Sequence, residues 1–206
     1  SLPRGLRMLI NRTVSDLLDA FASPDPTPGG GSAAALAAAL GASLLAMVAG
    51  MTKTKTGSPE ARKALDEARG RLMAARATLM GLVDRDSAAY DLVVAAYGQP
   101  KGTDAEKAVR RDAIQRAMRV ATEVPLETAT VSAGALGDAA AIEEHGNPNA
   151  TSDVGTGIAL LGAGIRGALL NVEANIGSLT DPAVVAEFKQ RRSVVEGDGG
   201  VFHRSR

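Results

Sequence analysis

The chain has no cysteine and no tryptophan, two histidines, and five aromatic side chains in 206 residues: Phe21, Tyr90, Tyr97, Phe188 and Phe202. Without cysteine there is no disulfide, no thiol nucleophile and no sulfur-ligated metal, a pattern that suits the cytoplasm. His145 and His203 stand far apart with no HxxxH or related ligand spacing, so no zinc site is expected. Neither sign of charge is in excess, since 23 Lys plus Arg balance 23 Asp plus Glu. A net charge of zero leaves no electrostatic footprint for nucleic acid or an anionic membrane, and neither is expected as a partner. A secretory signal is not expected either: residues 2–10 are short, carry Arg4 and Arg7 and lack a cleavage pattern.

What the chain does have is alanine, glycine and two long weakly charged runs. Residues 29–52 carry no charge before Lys53, and residues 154–172 carry only Arg166. Both runs are rich in Ala and Gly rather than Leu and Ile, and Arg166 near a membrane centre would cost about 2.5–3.5 kcal/mol on insertion scales. They are expected to be helices packed on all sides by protein, through small side chains and close backbones. The length suffices for one domain with a real core. That domain is expected over residues 8–196, with 197–206 as a frayed tail.

The pattern is all-α. Residues 13–22 predict a short helix with Leu17, Leu18 and Phe21 inward, ended by the proline-rich segment 23–28. Ser32 or the glycines before it start a helix to about Met51. Ser58 caps a long helix with Pro59 at its first position, running to Tyr97 and stopping at Gly98-Gln99-Pro100. Thr103 or Asp104 caps the next, to about Thr122, with Pro125 marking a break or kink before a helix to His145. Residues 146–149 form a turn, Ser152 or Asp153 caps a helix ending near Ser178, and Asp181-Pro182 opens the last. No stretch alternates with period two, so no sheet is expected.

Asp86 is the most informative position. At about 100° per residue it shares one face with Leu72, Ala75, Leu79, Leu82, Tyr90, Val93 and Tyr97, a stripe that is otherwise apolar and should be buried. A carboxylate there loses water, so it either pairs with a cation from another helix or titrates above its usual range as a catalytic acid or base. Asp84 and Asp91 point away and read as solvated acids.

Three other features can bear chemistry. Pro28-Gly29-Gly30-Gly31-Ser32 delivers the chain into a helix N-terminus, where bare N–H groups and the helix dipole suit an anionic or carbonyl ligand; a tight turn permitting close helix approach explains the glycines equally well. It is neither GxGxxG nor a P-loop. The segment Gly146–Asp153 sets Asn147, Asn149, Ser152 and Asp153 before an apolar helix on which Asp153, Gly157, Gly164, Asn171 and Asn175 share a face. Such groups either hydrogen-bond a polar heterocycle or serve as caps and interhelical bonds. Lys53, Lys55 and Lys101 lie at helix ends, where lysines are usually solvated; recognition of a carboxylated tail is their functional reading.

The blocks PTPGGGSAAALAAALGASLLAMVAGMT, LVDRDSAAYDLVVAAYGQPKGT, ATEVPLETA, GNPNATSDVGTG and GALLNVEANIGSLTD occur in that order. Through them the chain, from Thr13 to Val195, resembles the cyclodeaminase/cyclohydrolase family: the cyclodeaminase part of formiminotransferase-cyclodeaminase and the stand-alone methenyltetrahydrofolate cyclohydrolases. The resemblance implies an elongated all-helical bundle that forms a homodimer, a reduced-folate substrate, and no metal or redox cofactor. It maps the family's catalytic carboxylate onto Asp86. Onto the folate cleft it maps Pro28, Gly29, Gly30, Gly31, Ser32, Lys55, Asn147, Asn149, Ser152, Asp153 and Asn171, and Tyr90 joins these candidates from its own chemistry, as a ring that either contacts a flat ligand or, more commonly at such spacing, packs in a core. The lysine pattern Lys53-Thr54-Lys55 departs from the consecutive lysines of many relatives, and Glu173 stands where they often carry an apolar or aromatic residue.

The activity this implies is hydrolysis of 5,10-methenyltetrahydrofolate to 10-formyltetrahydrofolate, ahead of cyclodeamination of 5-formiminotetrahydrofolate. A folate carrier or helical scaffold without catalysis is the remaining alternative. For either reaction Asp86 serves as acid and base or as a direct nucleophile, and the sequence does not choose.

Overall fold

The computed structural model describes residues 8–198, so most of the expected tail lies outside the described residues. Seven helices account for nearly all of it: α1 Val14–Ala22, α2 Gly30–Ala49, α3 Pro59–Tyr97, α4 Asp104–Gly137, α5 Ala139–His145, α6 Thr151–Ile176 and α7 Pro182–Asp198. Among the described residues there is no strand.

The caps follow the local chemistry. Thr13 accepts from the Asp16 N–H, Ser58 accepts from Ala61 with Pro59 behind it, and Thr103 with Glu106 closes a reciprocal capping box. Asp181 accepts from the Ala183 N–H ahead of α7. In α1, Leu17 is buried and Phe21 half-buried, but Leu18 is exposed. A nine-residue helix packed on one side has room inward for the i, i+4 pair only, and Leu18 lies about 100° away.

Pro125 does not break the chain; α4 runs through it, and the interruption falls at Gly137–Asp138. A proline at 125 has no N–H for the carbonyl of Ala121 four residues earlier. That carbonyl accepts instead from the Asn175 side-chain amide of α6 at 2.6 Å. The tertiary bond replaces the helical one, so the helix continues.

The expected caps Ser152 and Asp153 are also displaced. Asn147 caps a short 3-10 turn, Pro148–Ala150, which feeds directly into α6, so Ser152 and Asp153 sit in the first helical turn and make no side-chain cap. Asp84 is not simply solvated. It is half-buried, and its carboxylate accepts from the backbone N–H groups of Leu9 (2.5 Å) and Ile10 (3.3 Å), anchoring the N-terminal turn to α3.

The core centres on α2, which packs on α6 and α3, while α4 closes against α3 and α6. Both α2 and α6 are long and apolar enough to cross a membrane; they lie against one another in this bundle, but each leaves one face exposed, so the expected packing on all sides is only partly met. Glycine sets their separation. A β-carbon on Gly41 would stand 2.7 Å from the Gly157 carbonyl oxygen, and one on Gly164 would stand 2.9 Å from the Ala34 carbonyl oxygen. Glu173, unexplained by its sequence position, pairs with Arg192 of α7 at 2.8 Å.

Candidate active site

The close approach of α2 to α3 and α6 fixes the geometry around Asp86. Gly29 ends the proline-rich loop in extended conformation, and α2 begins at Gly30 with no side chain on its N-cap residue to bond its first N–H groups. Asp86 projects from α3 at this helix start. Its carboxylate sits where Gly31 has no side chain: a β-carbon there would come within 2.6 Å of Cγ and 2.7 Å of Oδ2. Gly30 opposes α6 in the same way, its missing β-carbon lying 3.2 Å from Asn171 Nδ2. Two adjacent glycines thus let a carboxylate and an amide flank one helix N-terminus.

Among the described residues no cation pairs with Asp86. Its partner is Ser32, whose hydroxyl lies 3.0 Å from Oδ2, 2.9 Å from the Val83 carbonyl oxygen and 3.2 Å from the Ser87 hydroxyl. Burial pushes the Asp86 carboxyl above the usual carboxylate range; the Ser32 hydroxyl and backbone N–H oppose it without cancelling it. Such a group exchanges protons closer to neutrality than a solvated aspartate does.

Beside Asp86 opens a cleft of about 640 Å³ between the loop before α2, the second half of α3, α4 and the C-terminal half of α6. The α3 stripe was expected to be buried throughout. Leu72, Leu79, Leu82 and Val93 are, whereas Tyr90 is 41% and Tyr97 51% exposed. These two rings form the cleft wall and face open space because no helix packs over them there. Arg110 lies over the Tyr97 ring, 5.4 Å from its centroid, and donates to the Tyr97 carbonyl.

Of the residues singled out from sequence, Gly29, Gly30, Gly31, Asp86, Tyr90 and Asn171 come together in this wall. Pro28 belongs to the same loop behind the wall, and Ser32 is fully buried behind Asp86, touching the carboxylate rather than the cleft. The other five do not join them. Lys55 donates from Nζ to the Glu143 carbonyl at 2.6 Å and, with Asn147, lines a separate pocket of about 290 Å³ at the far end of α6. Asn149 and Ser152 are exposed and Asp153 half-exposed at that same end. From Asp153 to Asn171 the helix rises about 27 Å.

Met118, Ala121 and Ser178 also line the cleft. Nothing in their local sequence marks them, since an apolar helical residue such as Met118 or Ala121 looks the same facing a core or a ligand, and Ser178 reads as an ordinary turn serine after α6. Among the described residues no three acidic or histidine side chains gather as a metal site.

The profile of the family described as Formiminotransferase-cyclodeaminase matches residues 13–194. The chain is 41% identical over 195 residues to a methenyltetrahydrofolate cyclohydrolase of Methylorubrum extorquens, covering 94% of each chain. It is 33% identical to the formimidoyltransferase-cyclodeaminase of Sus scrofa over 90% of this chain and 34% of that protein, so it spans about a third of that relative's length. The crystal structure of a formiminotetrahydrofolate cyclodeaminase from Thermotoga maritima superposes with a TM-score of 0.82 at 25% identity, over 94% of this chain and 93% of that one.

Proposed function

We propose that this chain, which belongs to the formiminotransferase-cyclodeaminase family, is an enzyme that hydrolyses 5,10-methenyltetrahydrofolate to 10-formyltetrahydrofolate with Asp86 as the proton-transfer group. The observation that carries the choice of reaction is the 41% identity, end to end, with the Methylorubrum cyclohydrolase. The Asp86 cleft supports it: a protected carboxyl beside a helix N-terminus, two open tyrosine rings and an amide suit a flat polar heterocycle.

In this reading the Asp86 carboxylate takes a proton from water as its oxygen bonds to the electrophilic carbon bridging N5 and N10. The carbinolamine is then neutral. Asp86 returns the proton to N5 as the N5–carbon bond breaks, the carbinol oxygen loses its proton to solvent, and the 10-formyl group remains. One proton is released overall and the carboxylate is regenerated. Only water and protons are exchanged, so the proposed chemistry needs no redox cofactor, and with Asp86 taking the proton from water it calls on no metal. Tyr90 and Asn171, with the N–H groups of Gly30 and Gly31, hold the substrate.

The same residues could serve cyclodeamination of 5-formiminotetrahydrofolate, which the Thermotoga match favours. The two are separated by substrate. The protein should accelerate loss of the near-ultraviolet chromophore of 5,10-methenyltetrahydrofolate, and Asp86→Asn should lose at least a hundredfold of that acceleration. Chromophore appearing from the formimino compound, with no hydrolysis, would assign cyclodeamination. Silence in both assays would leave a carrier or scaffold.

A homodimer is part of the proposal. α2 and α6 turn apolar side chains outward, with Leu40 53%, Met47 45% and Leu170 72% exposed, and a second copy is the proposed cover. A cytoplasmic location, expected from the cysteine-free sequence, belongs to it as well.

A further inference from the structure

Ser32 is fully buried and does not line the cleft, so it cannot contact a substrate there. Three oxygens lie within hydrogen-bond distance of its hydroxyl: Val83 O at 2.9 Å, Asp86 Oδ2 at 3.0 Å and Ser87 Oγ at 3.2 Å. A hydroxyl carries one proton and cannot donate to both Val83 and Asp86 at once. The Val83 carbonyl only accepts. When Ser32 donates to it, the 3.0 Å Ser32–Asp86 hydrogen bond needs its proton from Asp86, which must then be the neutral acid. When Asp86 is ionised, Ser32 turns to donate to Oδ2.

We propose that the Ser32 hydroxyl is a two-position rotor, donating to Asp86 Oδ2 when the carboxyl is ionised and to Val83 O when it is protonated, with Ser87 completing the set. This deepens the reading of Asp86 as a proton-transfer group and rests on it. Each time Asp86 gains or loses its proton, the hydroxyl swings between two acceptors already in place, and no buried oxygen is left facing an unpaired oxygen. The carbonyl of Val83 has a lone pair to spare beyond its helical bond, so the resting position costs little. Ser32 is therefore a positioning residue for Asp86 and not a ligand of substrate. Ser87 reaches Asp86 only through Ser32, and its hydroxyl can donate to Ser32 in either state.

Among the described residues no other charged side chain lines the cleft beside the pair. α2 carries none; α4 brings Met118 and Ala121 to the wall, α6 brings Asn171 and Asn175, and Ser178 follows the end of α6. On α3 itself Tyr90 and Tyr97 are the other titratable wall residues, while Arg85 is paired with Glu127.

The test is the Asp86 titration read in two ways, by the carboxyl carbon shift in protein labelled at aspartate and by the acid limb of kcat/KM for methenyltetrahydrofolate. Ser32→Ala removes the donor to the carboxylate. The rotor predicts that both readouts move to higher pH by about one unit, and that Ser87→Ala, at a half-buried position, moves them the same way by less. A Ser32→Ala protein whose Asp86 titrates as in the parent, with activity reduced equally at every pH, would overturn it. The carbon shift needs no substrate. Absence of turnover in the parent would therefore strike the folate reading, while an unmoved titration would strike the rotor alone. If Ser32→Ala fails to fold, Ser87→Ala decides: a titration shifted upward supports the rotor and an unmoved one overturns it.

Discussion

Gly31 and Asp86 compete for the same space: the carboxylate lies where any other residue would place a β-carbon. Gly31→Ala should therefore push the carboxylate aside while suiting the helix, since alanine lowers the entropy of the unfolded chain at a helical position. Turnover should fall about a hundredfold with the melting temperature unchanged or raised. Full activity in that variant would mean the carboxylate position is not used. Asp86 also bears on stability with a definite sign. Burial raises its folded pKa above the unfolded one, so the folded state binds the proton more tightly. Its favourable contribution is present below the unfolded pKa and is lost as pH rises through the raised folded value. Asp86→Asn has no charge to desolvate and keeps a partner for Ser32. It should melt above the parent at neutral pH, and the margin should close once the pH is below the ordinary carboxylate range.

At the scale of the helix, Pro125 and Asn175 form a single unit although they lie on α4 and α6. The proline strips Ala121 of its helical donor and the asparagine supplies another at 2.6 Å. Asn175→Ala should cost about 1–3 kcal/mol by leaving that carbonyl unpaired. In a Pro125→Ala background the alanine N–H is available to Ala121, and the same substitution should cost less. Urea unfolding of the four proteins measures the coupling, and strictly additive effects would show that the amide bond does not hold the helix through Pro125. Reading a proline as a break is sound where nothing else can donate; here a side chain from a distant helix does. The capping of α6 carries a similar lesson, because Asn147 acts one turn early through a 3-10 turn that neither Ser152 nor Asp153 signals.

For the whole molecule, the separation of the two ends of α6 matters most. Lys55, Asn147, Asn149, Ser152 and Asp153 gather at one end, and Asp86 with Asn171 at the other. The outward apolar face of α2 and α6 runs between them. Two helices some 20 residues long and about 9 Å apart present a face of roughly 30 by 18 Å, which approaches the per-partner area of a standard interface. A second copy is the cover proposed for this face. Light scattering at micromolar concentration should give twice the chain mass, with Leu40→Asp reducing it to a monomer and lowering turnover. A parent protein that scatters as a monomer would remove the dimer from the proposal.

The helical class, most helix starts, close packing through small residues and the odd placement of Asp86 on an apolar stripe were legible in the chain alone, while its catalytic role belongs to the proposal. Each depends on period, cap chemistry or the absence of a side chain, which are local properties. The burial of Ser32 behind the carboxylate and the anchoring role of Asp84 became visible only in the folded molecule. So did the opening of the α3 stripe to solvent at Tyr90 and Tyr97, and the turning of Met118 and Ala121 to the cleft. These depend on which helix lies opposite. A helix face carries the same residues whether it meets a neighbour or an open cleft, so its use is settled only when the other helices are in place.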